Sequence, residues 1–286
     1  MALVVGPDPA LRRAEPILVG DLFPEILDSL LTLLSGLSSE DWERPTACAR
    51  WSVKDVALHL LGDEVGILSR KRDAFAPPAG AVSDWQELVA LINELNERWV
   101  RAARRISPSL LCDLLGYVGS QSCLYFQSLD PYAMGSPVSW AGPDPAPVWL
   151  DVTREYTERW LHQQHIRDAV GKPGLKEPRL FAPVLDAFVR ALPHTFRAVA
   201  VAEGTAVALT ISGDAGSAWT LLRERGKWVL YVGVLSEADA RVNVDQETAW
   251  RLFTRGISPT EARKRVTLAG DKTLGRKVLD TVSIIA

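Results

Sequence analysis

The chain is short of the side chains that bind metals and of the signatures that mark several large enzyme classes. It has three cysteines, four histidines and two methionines in 286 residues. Cys48, Cys112 and Cys123 are odd in number and show no CxxC spacing, which argues against a disulfide framework or a cysteine-only metal site and fits a reducing compartment. No run of about 18 apolar residues occurs, so no membrane span is expected. Met1 to Asp8 lacks the basic start and long apolar run of a signal peptide, so a soluble, cytoplasmic protein is the expectation. There is no glycine-rich phosphate loop, no GxSxG elbow and no local Ser/His/Asp grouping, which disfavours nucleotide-driven and serine-hydrolase chemistry. Net charge is -3 with the two signs interspersed, so nucleic acid is not an expected partner.

The chain does have enough apolar material for a core, 47% of its residues, and enough length for two domains. Its first half reads as helices. Leu22, Ile26, Leu30, Leu33, Leu34 and Leu37 recur in the rhythm of a helix with one buried stripe, and Pro24 falls in the first turn, where it is tolerated. A second helix is expected over 53–72, capped by Ser52 with Asp55 three residues on in an imperfect capping box, and Pro77-Pro78-Ala79-Gly80 closes that region. Trp85 to Ile106 gives a third helix and Val152 to Val170 a fourth, stopped by Gly171 and Pro173. Between them Ser107 to Leu150 carries six prolines and only short helical patches such as Ser120 to Ser128, so it reads as a long, lid-like connection.

After Lys172 the texture changes. Pro183 to Leu192 is helical, Val207 to Ser212 alternates like a strand, and the pair Trp219 to Arg223 and Lys227 to Val232 flanks Arg225-Gly226 as a hairpin would. Asp245 can cap a helix that Gly256 ends, and Ser258, Pro259 and Glu261 make another start signal. A strand at Arg265 to Leu268 and a helix near 274–284 close the chain. The expected class is α+β, with a four-helix bundle over 1–178 and a smaller α+β domain over 179–286.

Two of the four histidines fall in the fourth helix, in Glu158-Arg-Trp-Leu-His162-Gln-Gln-His165. At about 100° per residue, His162 lies about 40° to one side of Glu158 and His165 about 20° to the other, so one face presents a carboxylate and two imidazoles. Two ligands on one helix rarely hold a cation, and a third has to come from elsewhere. His59, at the edge of the apolar arc of the second helix, is the natural donor, and three N/O ligands leave a coordination position open for a reactant. A solvated Glu/His pair and a packing histidine are the plainer accounts of the same spacing. Gln163 and Gln164 can line a cofactor pocket beside the cation, and His194 and Arg197 can hold a substrate carboxylate, with packing and surface roles as the ordinary alternatives. Cys48 stands near the expected site entrance, where a buried inert thiol is the plainer reading.

The stretch Trp51-Ser-Val-Lys-Asp-Val-Ala-Leu-His59, preceded by Pro45-Thr46-Ala47-Cys48, resembles the second-helix signature of the mycothiol-dependent maleylpyruvate isomerase family, a branch of the DinB-like metal-binding bundles. Thr157, Glu158, His162, Ala169 and Gly171 resemble its metal-ligand helix at matching spacing. The resemblance implies a DinB-like bundle with a C-terminal domain distantly like sterol carrier proteins. It also implies a divalent metal on His59, Glu158 and His162, zinc first and nickel or iron as alternatives, with mycothiol as thiol cosubstrate. His165 departs from the pattern, since many relatives have Asp or another polar group there, and can be a proton carrier, an alternative ligand or a supporting residue. The activity so implied is that of a metal-dependent thiol isomerase or S-transferase acting on a small electrophile, as monomer or homodimer. The alternatives are a hydrolase whose metal-bound water exchanges protons with His165 or Glu155, and a noncatalytic metal or small-ligand binder.

Overall fold

The computed structural model describes residues 11–75 and 85–284. The Pro77 to Gly80 stop and the reading of Met1 to Asp8 lie outside them. The described chain divides into two compact units, a helical one over 18–133 and 152–175 and a mixed one over residues up to 17, 134–151 and 176 onward.

The helical unit is built from α1 (Phe23–Ser35), the short α2 (Ser39–Glu43), α3 (Val53–Ile67) prolonged by a π-helical turn at Leu68–Arg72, α4 (Trp85–Ala103), α5 (Pro108–Ser128) and most of α6 (Val148–Val170). At the start of α3 the capping box is reciprocal: Ser52 Oγ accepts from the Asp55 amide at 3.4 Å and the Asp55 carboxylate accepts from the Ser52 amide at 3.2 Å. The helix buries nearly its whole surface, with Val53, Val56, Ala57 and Leu58 at 0% exposure, so a polar side chain on it is held among apolar neighbours. It packs against α4 and α5, and α1 packs against α5.

Helix α5 corrects the sequence reading of 107–150 as a connection with short helical patches. Ser107 caps it and Pro108 sits at its first position, where a missing N–H costs nothing. Its buried side is made partly of small residues, Gly119, Ser122 and Cys123, that blur the apolar rhythm. At Gly119 a Cβ would come within 2.8 Å of Leu27, so close approach of α1 selects glycine where a pattern search looks for leucine. Among the described residues the unit therefore has five long helices, where the sequence reading expects four.

The other unit holds a mixed six-stranded sheet in the order β1-β4-β3-β2-β5-β6, from β1 (Arg12–Arg13), β2 (Ala206–Ser212), β3 (Ala218–Glu224), β4 (Lys227–Val232), β5 (Ala240–Asp245) and β6 (Thr267–Gly270). Among the described residues only β2 and β5 pair in parallel. Arg225 and Gly226 both have positive φ, 51° and 73°, which makes the β3–β4 connection the tight turn that suits hairpin twist. The helices are α7 (Pro178–Val189), α8 (Leu192–Thr195), α9 (Gln246–Phe253), α10 (Pro259–Ala262) and α11 (Lys272–Arg276). Asp245 caps α9 as expected. The closing segment is α11 plus a 3-10 turn at Lys277–Asp280 in place of one helix over 274–284. The architecture is α+β with a helical N-terminal region. No helix among the described residues is long and apolar enough to cross a membrane.

Candidate metal centre

The donor atoms gather between α3 and α6. His59 leaves α3 with 6% of its surface exposed, and its ring lies 5.0 Å from that of Trp51. From α6, His162 approaches edge-on, the ring centroids 4.5 Å apart, so that the two Nε2 atoms are separated by 3.2 Å. Glu158, one turn before His162, places Oε2 3.6 Å from His162 Nε2. The three side chains singled out from the sequence thus lie together.

A fourth donor escapes the sequence reading. Asp63 Oδ2 stands 3.3 Å from His59 Nε2. The signal is present, because His59-x3-Asp63 on α3 mirrors Glu158-x3-His162 on α6. Four atoms therefore run Asp63, His59, His162, Glu158 with steps of 3.3, 3.2 and 3.6 Å. The group whose donor atoms all lie within 4.8 Å of one another among the described residues is Cys48, His162 and His165, whereas here each successive step matches the separation of about 3.4 Å between nitrogen and oxygen ligands held at about 2.0–2.2 Å in a tetrahedral arrangement.

The electrostatics point the same way. Burial pushes His59 down to about 4, against the pull of Glu158, and Arg159 lowers it further. Burial and the neighbouring His59 hold His162 well below its ordinary value. At neutral pH both rings are uncharged and carry a lone pair, the form that ligates a metal. Asp63 is raised well above the carboxylate range by burial and by Glu155 and Glu158, and burial raises Glu158 although Arg154 opposes it. Carboxyl groups crowded in this way are relieved by a cation placed between them.

Glu155, weighed as a proton shuttle, is instead held in ion pairs. Burial would raise it, but Arg154, Arg159 and Lys71 bring it down to about 2. Arg159 donates Nε and Nη2 to the two oxygens of Glu64 on α3 at 2.8 and 2.9 Å, and Nη1 to Glu155 Oε2 at 3.1 Å. Its guanidinium also lies over the rings of Phe23 and Phe126, at 5.5 and 5.1 Å. This buried network joins α6 to α3 one helical turn from the donor atoms.

On the far side of the His162 ring stand His165 and Cys48. Cys48 Sγ lies 3.1 Å from His165 Nδ1 and 3.9 Å from His162 Nδ1. Cys48 belongs to the loop before α3, and no spacing rule connects it to α6. Burial raises its thiol to about 11, with Glu158 adding to the rise and Thr46 opposing it.

The two glutamines engage the backbone. Gln163 donates Nε2 to the Ile26 carbonyl at 3.0 Å and accepts from Arg167 Nη2 at 2.9 Å, and Gln164 donates to the Gly174 carbonyl at 3.0 Å. Arg197 belongs to the mixed unit, exposed, with Nη1 donating to the His194 carbonyl at 2.7 Å.

Solved structures of similar fold include two of the mycothiol-dependent maleylpyruvate isomerase. One is a crystal structure of a histidine-to-alanine mutant of the mycothiol-dependent maleylpyruvate isomerase, with TM-score 0.51 and 10% identity over 87% of this chain and 91% of that one. The other is a crystal structure of the mycothiol-dependent maleylpyruvate isomerase itself, with TM-score 0.50 and 9% identity over 82% of this chain and 86% of that one. No curated protein matches. Residues 23–167, half of the length, match the family described as the mycothiol maleylpyruvate isomerase N-terminal domain, and the chain belongs to that family.

Proposed function

We propose that this protein is a metal-dependent thiol enzyme, an isomerase or S-transferase that uses mycothiol as cosubstrate on a small electrophilic substrate. The observation that carries the reading is the pair of imidazoles of His59 and His162, from two helices, with Nε2 atoms 3.2 Å apart and the Glu158 carboxylate beside them. The donor set fits zinc, with nickel and iron as the other candidates. His59, Glu158 and His162 would hold the ion. A divalent cation lowers the pKa of a thiol that meets it and so supplies a thiolate near neutral pH.

The chain's own residues prepare the site. Asp63 sets a carboxylate 3.3 Å from the His59 Nε2 and Trp51 walls the ring from another side. Arg159 and Glu64 keep α6 in register with α3, so the donors are placed before any ligand arrives. An attacking sulfur that adds to a conjugated double bond gives a single bond free to rotate, and its expulsion returns the isomer and the thiol. Retention of the sulfur gives the transfer product.

The test is to load the full chain with zinc, nickel or iron, add mycothiol and α,β-unsaturated electrophiles, and analyse products by mass spectrometry. A thiol-dependent isomer or S-adduct is expected. Thiol-independent addition of water would assign the site to hydrolysis, and metal binding without turnover in any arm would leave a noncatalytic binder; either outcome overturns the reading.

A further inference from the structure

His162 shows different partners to its two nitrogens. Nε2 faces His59 and Glu158, whereas Nδ1 faces Cys48 on the opposite edge of the ring. Cys48 Sγ, His162 Nδ1 and His165 Nδ1 all lie within 4.8 Å of one another. Bonds of about 2.3 Å to sulfur and about 2.05 Å to nitrogen at a tetrahedral angle put sulfur and nitrogen about 3.5 Å apart. The two sulfur–nitrogen separations, 3.1 and 3.9 Å, fall on either side of that value. Hydrogen bonds between the thiol and the two imidazoles account for these contacts in the metal-free protein, and the same three donor atoms lie close enough together to be ligands of one ion.

The loop that carries Cys48 is firmly built. Thr46 Oγ1 accepts from the Cys48 amide at 3.2 Å and donates to the Trp51 carbonyl at 2.9 Å. The Trp51 amide donates back to the Cys48 carbonyl at 3.0 Å, Pro45 bridges to Ser52, and Arg50 takes a left-handed φ of 70° to close the turn. The sulfur is therefore held in place by backbone and not merely by packing. Cys112 and Cys123 stand in no such group among the described residues.

We infer that Cys48, His165 and the Nδ1 edge of His162 form a second cation site, for a thiophilic transition metal of the Zn²⁺ or Cd²⁺ class. One sulfur and two imidazole nitrogens suit such ions and suit Mg²⁺ or Ca²⁺ poorly. The metal–sulfur bond replaces the S–H bond, and the proton passes to solvent. Both nitrogens of one ring ligate together only once the ring has lost its N–H, so the two sites share His162 as a bridge or exclude one another. Thiolate ligation is the signature of the second in either case, and it does not depend on the thiol chemistry proposed above.

Chelator-stripped full-length protein is titrated with Co²⁺ and with Cd²⁺ while thiolate-to-metal charge transfer is followed in the near ultraviolet. The expected band saturates at one thiolate per chain, is abolished in Cys48→Ser, and persists in Cys112→Ser and in His59→Ala, with circular dichroism reporting the fold of each variant. In the unsubstituted protein, Cd²⁺ should slow alkylation of Cys48 at least tenfold and leave Cys112 unchanged, a readout that stands even where a variant fails to fold. Absence of the band together with unprotected Cys48 overturns the inference. So does a band that survives Cys48→Ser, or one that a folded His59→Ala variant loses, which would place the sulfur on the His59 ion.

Discussion

His59 and His162 are 103 residues apart in the chain, and their Nε2 atoms are 3.2 Å apart in space. Neither ring is carried by a loop. Each is fixed by the axial position and rotation of its helix, so a shift of about 1.5 Å, one residue of helical rise, would separate them. The link that sets this register is the buried pair Arg159 and Glu64, side chains 10% and 7% exposed and joined through two hydrogen bonds.

Replacing Arg159 by Met should therefore destabilise the helical unit by about 3–5 kcal/mol, the usual cost of leaving a buried charge without its partner. Arg159→Met with Glu64→Leu should recover part of that loss, because the Glu64 carboxylate is gone while Glu155 keeps Arg154 and Lys71 as partners. Urea unfolding of the single and double variants checks this. If the register argument holds, the double variant regains stability but not metal affinity, which separates positioning from folding.

Metal content should follow the donors in a graded order. His59→Ala and His162→Ala remove a ligand, and each is expected to lower zinc affinity by about 100-fold or more. Asp63→Asn removes the charge of the carboxylate that stands 3.3 Å from the ligating His59 Nε2 and should cost about 10–100-fold. Competition with a chromophoric chelator measures all three, in a Cys48→Ser background that removes the thiolate of the second site. Equal affinity in the His59→Ala and unsubstituted proteins would remove the basis of the proposed centre.

How far the sequence reaches is clear at this site. Glu158, His162 and His165 share a face by angle alone, and His59 is the donor left on an inward-facing arc, so these are legible. Asp63 carries the same signal, a four-residue step from His59, but an acidic residue at such a step looks the same on a solvated face. Cys48 is not legible as a neighbour of His165, since the contact depends on the turn closed by Arg50. Helix α5 is hidden by small residues that allow close packing, and β5 escapes the sequence reading although Ala240, Val242 and Val244 alternate inward. Long-range approach leaves little trace in local periodicity, and the contact of Cys48 and the small face of α5 both come from it.

Acid should weaken the metal-free protein in two successive windows. The unfolded His59 protonates near 6.5 but the folded one only near 4, so between those values the unfolded state holds the extra proton and stability falls as pH falls. The slope contributed by one such group is at most about 1.4 kcal/mol per pH unit. Glu155 acts lower down: its folded value of about 2 lies below the ordinary 4.5, so the stability it gives is complete above 4.5 and is lost on going from there to 2. Thermal midpoints of the chelated protein against pH should show the first decline above pH 4, to which the depressed His162 also contributes, so His59→Gln should lessen that part and leave the part that Glu155 gives below 4.5.

Gly62 offers a prediction in which two effects of known size oppose one another. Alanine in a helix interior is favoured over glycine by about 1 kcal/mol, so Gly62→Ala on α3 would stabilise the chain if nothing stood nearby. Trp99 of α4 does stand there. A Cβ on Gly62 would lie 2.6 Å from Cδ1 and Nε1 of its indole, far inside contact distance. The ring has little freedom to retreat, because Nε1 donates to the Leu58 carbonyl at 2.7 Å, and turning away would leave that donor unpaired. Overpacking costs about 1–3 kcal/mol, which outweighs the helical gain. Gly62→Ala is thus expected to be net destabilising, while Gly62→Ala combined with Trp99→Leu should be more stable than Trp99→Leu alone, since the obstruction is gone and the propensity gain remains. A single variant more stable than the parent in urea would mean that α4 does not press its tryptophan against α3.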